Sequence, residues 1–76
     1  MCLGIPARVI EFNESENWAL VDSNGVVFRI CTGILGEKIE IGDFLMVHAG
    51  FAIGKIEKED AEERMRIIRE IISDGS

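Results

Sequence analysis

The spacing of apolar residues changes once along the chain, near Ile56. Before this point, short apolar runs are separated by Gly, Asn and Asp, the pattern of strands joined by tight turns. After it, apolar residues recur at intervals of four, three and four, which places them on one helix face. These residues are Ala61, Met65, Ile68 and Ile72. The 76 residues therefore predict a single domain, with β structure over residues 1–56 and a helix over residues 57–74.

Five apolar runs have the length and composition of short strands. The predicted strands are Ile5–Phe12, Trp18–Asp22, Val26–Cys31, Phe44–Ala49 and Phe51–Ile56. A mainly β chain of this size has to bury a core between few strands, and five short strands that close on themselves form a small OB-like barrel. We therefore expect a five-stranded OB-like barrel followed by a C-terminal α-helix, with a bend at Gly50 between the last two strands.

The dipeptide Asn24-Gly25 fixes how the second and third strands pair. Asn-Gly between apolar runs predicts a two-residue hairpin turn, because both of its residues adopt positive φ. Such a turn pairs Ser23 with Val26, and the strands then pair residue by residue. Two of these pairs are predicted to face the core and two to face outward. They are Val21–Phe28 and Ala19–Ile30 inside, and Leu20–Arg29 and Trp18–Cys31 outside.

The predicted helix has a wide apolar face and several charged pairs. Ile67 and Ile71 broaden this face beyond what a small barrel needs, so a partner surface is one interpretation of them. Residues four apart on a helix are neighbours, so two ion pairs are expected on its exposed side. These pairs are Asp60–Arg64 and Glu62–Arg66.

The net charge of −6 limits the partners that this chain can bind. Phosphate binding needs clustered Lys and Arg, and the sequence has no such cluster, which argues against nucleic acid and anionic membranes. The apolar runs are too short to cross a bilayer, and no signal peptide is recognisable at the N-terminus. With only two cysteines in so small a chain, we expect a cytoplasmic protein with reduced thiols.

Cys2 and His48 are the candidate functional residues. Removal of Met1 would leave Cys2 as the N-terminus, where the α-ammonium group, whose pKa is about 8, favours the reactive thiolate. The alternative is a chemically idle thiol at the chain end. His48, the only histidine, precedes the predicted bend. It is either a metal ligand or proton partner of a thiol, or an ordinary packed or surface histidine.

Other kinds of chemistry have little support in the sequence. Cys31 is expected to pack against the Trp18 indole, and no CxxC or zinc spacing occurs. One histidine and no carboxylate pair that would share a cleft with it provide no acid–base set, which argues against an autonomous enzyme. The remaining alternatives are an OB-type binding module for nucleic acid and a thiol-based redox protein that uses Cys2 and Cys31.

Three segments of the sequence resemble the HypC/HupF family of hydrogenase maturation chaperones. Met1–Pro6 is similar to the family's N-terminal motif, in which Met-Cys precedes a proline. Ala19–Asp22, with Gly25 and Arg29 after it, is similar to the family's central hairpin. Gly42–Ile53 is similar to a segment of the form Gly-Asp, a hydrophobic stretch, Val-His and then Gly-Phe-Ala. These segments occur in the family's order and span most of the chain.

The resemblance implies a fold, a function and two site residues. It implies an OB-like barrel with a C-terminal helix. It also implies that the protein acts as a chaperone and not as an enzyme. Such a chaperone binds a HypD-type maturation protein and then the precursor of the [NiFe] hydrogenase large subunit. It helps to deliver an Fe(CN)2CO group, which it holds only transiently, in complex with a partner, and not as a stable cofactor. The family's essential cysteine corresponds to Cys2 and its strand-end histidine to His48, and Cys31 matches no functional position.

Overall fold

The computed structural model describes the backbone of residues 4–75 and the side chains of residues 4–71. Its strands close into a barrel in the order β1-β2-β3-β5-β4. All neighbouring strands are antiparallel except β3 and β5, which are parallel. This closed five-stranded barrel with one C-terminal helix confirms the predicted OB-like fold. The elements are β1 (Ile5–Asn13), β2 (Trp18–Ser23), β3 (Val26–Cys31), β4 (Phe44–His48), β5 (Phe51–Ile56) and α1 (Lys58–Gly75).

The β2–β3 hairpin has the predicted turn and the predicted register. Asn24 and Gly25 have φ values of 51° and 90°, as a turn with two positive φ values requires. The Gly25 N–H also donates a hydrogen bond of 2.8 Å to Oδ1 of Asp22, which stabilises the turn. All five predicted strand pairs are present, from Ser23–Val26 at the turn to Trp18–Cys31 at the open end.

The barrel core is formed by alternate residues of the strands. Ala19, Val21 and Ile30 are almost fully buried, as the predicted inward side of the hairpin requires, and Phe28 packs half-buried against them. A bulge between Val9 and Glu11 shifts the register of β1 against β2. The remaining core residues are Ala7, Val9, Ile39, Leu45, Val47 and Ala52.

The connection between β3 and β4, residues 32–43, forms no strand. Ile39 and Ile41 alternate in the sequence as the residues of a strand do, but here they belong to a loop. The Ile39 side chain is only 8% exposed and closes the core, whereas Ile41 is 67% exposed. The Leu35 N–H donates to the Thr32 carbonyl over 3.2 Å, so the segment begins with a tight turn.

Helix α1 packs outside the barrel, on β1 and β4. The Ala61 N–H donates to the Glu57 carbonyl over 2.9 Å, which fixes the helix start. Of the predicted apolar face, Ala61 is fully buried and Met65 and Ile68 are half-buried, while the Ile72 side chain lies outside the described residues. Within the described residues, no helix is long and apolar enough to span a membrane.

The ion pairs of α1 match the sequence prediction in one case of two. The Arg64 and Asp60 side chains are 3.5 Å apart, as predicted. The predicted Glu62–Arg66 pair is wrong, because Arg66 instead donates to Glu63 and Glu70. Both acids lie within one turn of Arg66, so the guanidinium can contact them together. The hydrogen bond from Arg66, aided by its charge, lowers the pKa of Glu63 below its ordinary value.

Candidate functional site

Gly4 is the first described residue and lies against the end of β4. Its neighbour Ile5 pairs with Val47 in the β1–β4 ladder. A Cβ atom at Gly4 would lie 2.7 Å from the Val47 carbonyl oxygen, closer than side chains are found. Glycine is therefore required for the chain to enter β1 beside β4. The predicted site residue Cys2 lies two positions earlier in the sequence, outside the described residues.

His48 is the last residue of β4, at a two-residue turn. It pairs with Phe51 at the start of β5, and Ala49 and Gly50 between them have φ values of 54° and 86°. The strand predicted over Phe44–Ala49 thus ends one residue early, because Ala49 belongs to the turn. The turn leaves the His48 side chain exposed.

Gly4 and His48 line the same groove, which we call the N-terminal groove. It has a volume of about 320 Å³, and its remaining lining is largely apolar. The sequence could not show that Phe28, a residue of the distant strand β3, also lines it. The lining residues are Gly4, Ile5, Phe28, Val47, His48, Ala49 and Gly50. The barrel end where the chain enters β1 is therefore a shallow apolar depression with one imidazole at its rim.

Two further depressions adjoin the N-terminal groove. The first, which we call the helix groove, has a volume of about 520 Å³ and is lined by residues of the β2–β3 hairpin and of α1. It shares Ile5 and Phe28 with the N-terminal groove, so the two lie side by side at these residues. The second has a volume of about 200 Å³ and includes Gly4 and Ile67. Apolar surface therefore continues from the barrel end onto the helix.

Cys31 is half-buried at the end of β3. It is opposite Trp18 in the β2–β3 ladder, as predicted, and its N–H donates to the Gly50 carbonyl over 2.8 Å. The Arg29 guanidinium lies 4.6 Å from the centre of the Trp18 ring, a cation–π contact that the sequence did not predict. Within the described residues, no group of three or more His, Cys, Asp or Glu side chains could hold a metal ion.

A family model and several known proteins that resemble this chain all indicate the same family. A family model described as the HupF/HypC family matches residues 1–68. The chain is 38% identical over 72 residues to the hydrogenase maturation factor HypC of Helicobacter hepaticus, covering 95% of this chain and 83% of the relative. It is 39% identical over 71 residues to HypC of Cupriavidus necator, covering 93% and 77%.

HypC of Rhizobium leguminosarum bv. viciae gives a similar result, with 37% identity over 70 residues, which cover 92% of this chain and 91% of the relative. The family match covers the N-terminal residues, the barrel and the first part of α1. The chain therefore belongs to the HupF/HypC family.

Proposed function

We propose that this protein is a hydrogenase maturation factor, an accessory chaperone that acts in the cytoplasm and not an enzyme. The family match and the names of the relatives support this function. The observation that carries the site is that Gly4 and His48 line one groove. Cys2 is two residues before Gly4, and two residues span at most about 7 Å, so the thiol lies within reach of the groove.

The Cys2 thiol is proposed to bind the iron of an Fe(CN)2CO group. A thiolate is a soft, polarisable ligand and suits iron that already carries cyanide and carbon monoxide. The positive α-amino group beside it, once Met1 is removed, favours the thiolate over the thiol. His48 can accept the thiol proton or add a nitrogen ligand at the rim of the groove.

A partner protein is proposed to supply the other iron ligands. The described residues hold no cluster of three metal ligands, so one sulfur and one imidazole cannot enclose an ion. We propose a HypD-type maturation protein as the first partner and the large-subunit precursor of a [NiFe] hydrogenase as the second. A single thiolate ligand suits such a transfer, since one iron–sulfur bond has to break for the iron to leave.

The proposal is tested by replacing Cys2 with Ala in cells that produce a [NiFe] hydrogenase. We expect hydrogenase activity, and the iron that copurifies with this protein and its partner, to fall about tenfold or more. His48→Gln, which removes the imidazole from an exposed position, should lower the copurified iron by a smaller factor.

Cys31→Ser is the matched control, because it removes the other thiol from a residue that lies in β3 and does not line the N-terminal groove. It should keep activity and copurified iron near the wild-type values. Full hydrogenase activity in a folded Cys2→Ala protein would show that the thiol has no role. Loss of activity in Cys31→Ser alone would favour the redox alternative.

A further inference from the structure

The backbone groups of β3 point alternately to its two edges. One edge is hydrogen-bonded to β2, and the other faces away from β2. Ser23 and Val26 flank a two-residue turn, so they form a hydrogen-bonded pair, and such pairs alternate along an antiparallel ladder. Val26, Phe28 and Ile30 therefore bond to β2, and the backbone groups between them point to the other edge. The Cys31 N–H confirms this alternation, since it donates away from β2 to the Gly50 carbonyl.

The free edge of β3 is uncovered before Cys31. Strand β5 runs parallel to β3 and pairs with it only at Cys31 and Phe51, where β5 begins. Within the described residues, the N–H and C=O groups of Val27 and Arg29 have no hydrogen-bond partner. Val27 is also 53% exposed. Two donors and two acceptors thus face solvent at strand spacing, the arrangement to which an extended peptide adds.

An apolar depression lies beside this edge. In the first half of β3, the side chains on the inward face are those of Val26 and Phe28. Both line the helix groove together with Ile68. Val26 is 62% exposed. Alternate side chains of an added strand would point to the same face as these residues. An added strand would therefore place apolar side chains over the helix groove while its backbone bonds to Val27 and Arg29.

The charges around the edge favour an acidic strand. Arg29 stacks on Trp18, and Arg69, at the rim of the helix groove, donates to Oδ1 of Asn24 over 3.4 Å. Within the described residues, neither arginine has a carboxylate partner. Strand β3 contains no acidic residue, so a second copy paired through β3 would leave these arginines unneutralised.

We propose that the free edge of β3 binds an extended, acidic segment of a partner protein by strand addition. The backbone of Val27 and Arg29 bonds to the segment, its apolar side chains enter the helix groove, and its carboxylates pair with Arg29 and Arg69. This binding mode goes beyond the proposed function, because it requires neither the Cys2 thiol nor iron.

The test uses the full chain labelled with ¹⁵N and three end-capped peptides with the same alternating Val-Thr-Val-Thr-Val centre. The peptides carry two Asp, two Asn or two Lys residues at each end. At millimolar concentration, the acidic peptide should slow hydrogen exchange of the Val27 and Arg29 amides about tenfold, because hydrogen-bonded amides are protected. The neutral peptide should bind more weakly, and the basic peptide should give no protection.

Two backbone variants separate strand addition from other binding. Val27→Pro removes an N–H that does not bond to β2, a position where an edge strand tolerates proline, and it should abolish binding of the acidic peptide. Val27→Thr keeps the N–H and the branched shape, so it is the matched control and should bind as the wild type does. If Val27→Pro does not fold, Arg29→Gln and Arg69→Gln together still test the charges, and they should weaken the acidic peptide several-fold.

Several results would overturn the proposal. These are protection by none of the peptides, protection by the basic peptide equal to that by the acidic one, and equal binding by folded Val27→Pro and Val27→Thr. Amides of Val27 and Arg29 that are already protected in the free protein would also overturn it. If protection of these amides without peptide rises with protein concentration, a second copy of the chain occupies the edge. Since Cys2→Ala should bind the acidic peptide normally, failure of this test leaves the proposed iron function unaffected.

Discussion

Ala49 holds a backbone conformation that an alanine rarely adopts. Its φ of 54° is required because Ala49 and Gly50 form a two-residue turn between His48 and Phe51. The left-handed conformation costs a residue with a Cβ atom roughly 1–2 kcal/mol. The turn that presents His48 to the N-terminal groove is therefore held by the pairing of β4 with β5, against the preference of Ala49 itself.

Replacing Ala49 with Asn should stabilise the protein. Asparagine tolerates this conformation, and Asn-Gly would reproduce the chemistry of the turn at Asn24. We expect a gain of about 1 kcal/mol in the free energy of unfolding, which raises the melting temperature by roughly 4–8 °C in a domain of this size. Ala49→Val should instead lower it, because a branched side chain fits this conformation poorly. Equal melting temperatures for both variants would contradict the assigned turn.

The role of Gly4 could not be assigned from the sequence. Its motif identifies a family, but the need for glycine comes from the Val47 carbonyl, which would lie 2.7 Å from a Cβ atom. That contact depends on how β1 enters the barrel beside β4. By contrast, the turn at Asn24 was predictable, because Asn-Gly itself favours the conformation found there.

At the scale of elements, Arg66 connects two carboxylates along α1. Its hydrogen bond to Glu63, supported by the attraction between the two charges, lowers the pKa of that carboxyl below its ordinary value. The pKa of Arg66 is raised, and the same hydrogen bond is the largest cause. Stability that comes from a lowered carboxyl pKa is present above the unfolded-state pKa and is lost as pH falls through the folded-state pKa.

Arg66→Gln should return the pKa of Glu63 toward its ordinary value. The measurement is a ¹³C NMR titration of the Glu63 carboxyl in both proteins. Thermal melts over acidic pH should show that wild-type α1 loses a small stabilisation that the variant lacks, small because both side chains are solvent-exposed. Glu62→Gln is the matched control and should leave the titration of Glu63 unchanged, since Arg66 pairs with Glu63 and Glu70 and not with Glu62.

The elements themselves were largely predictable, and their ends and partners less so. The hairpin register followed from the turn, and the buried face of α1 followed from the spacing of Ala61 and Met65. The end of β4 did not, because Ala49 carries no turn signal of its own. The partner of Arg66 did not follow either, since spacing allows several acids and only the side-chain conformation selects among them.

At the scale of the whole molecule, three depressions meet where the chain enters β1. The N-terminal groove and the helix groove share Ile5, and the third depression connects Gly4 to Ile67 on the helix. Which residues meet there depends on barrel closure, so the sequence could place Cys2 and His48 in motifs but could not show that Phe28 lines a groove with His48. A partner that approaches the N-terminal residues would therefore also contact the exposed side of α1.

Ile67→Glu tests this larger footprint. Ile67 is 42% exposed, so a charge there should change the free energy of unfolding by no more than about 1 kcal/mol. A buried charge at an interface should weaken binding of the proposed HypD-type partner by at least about tenfold. The measurement is the partner affinity of both proteins by calorimetry, with hydrogenase activity in cells as a second readout.

Ile34→Glu is the matched control for this change. Ile34 is 66% exposed, lies in the connection between β3 and β4, and lines none of the three depressions. Because Ile34 lies outside these depressions, Ile34→Glu should bind the partner normally. If Ile67→Glu also bound normally, the partner would have to contact the N-terminal residues without covering α1. A loss of binding in Ile34→Glu would extend the interface to the connection between β3 and β4.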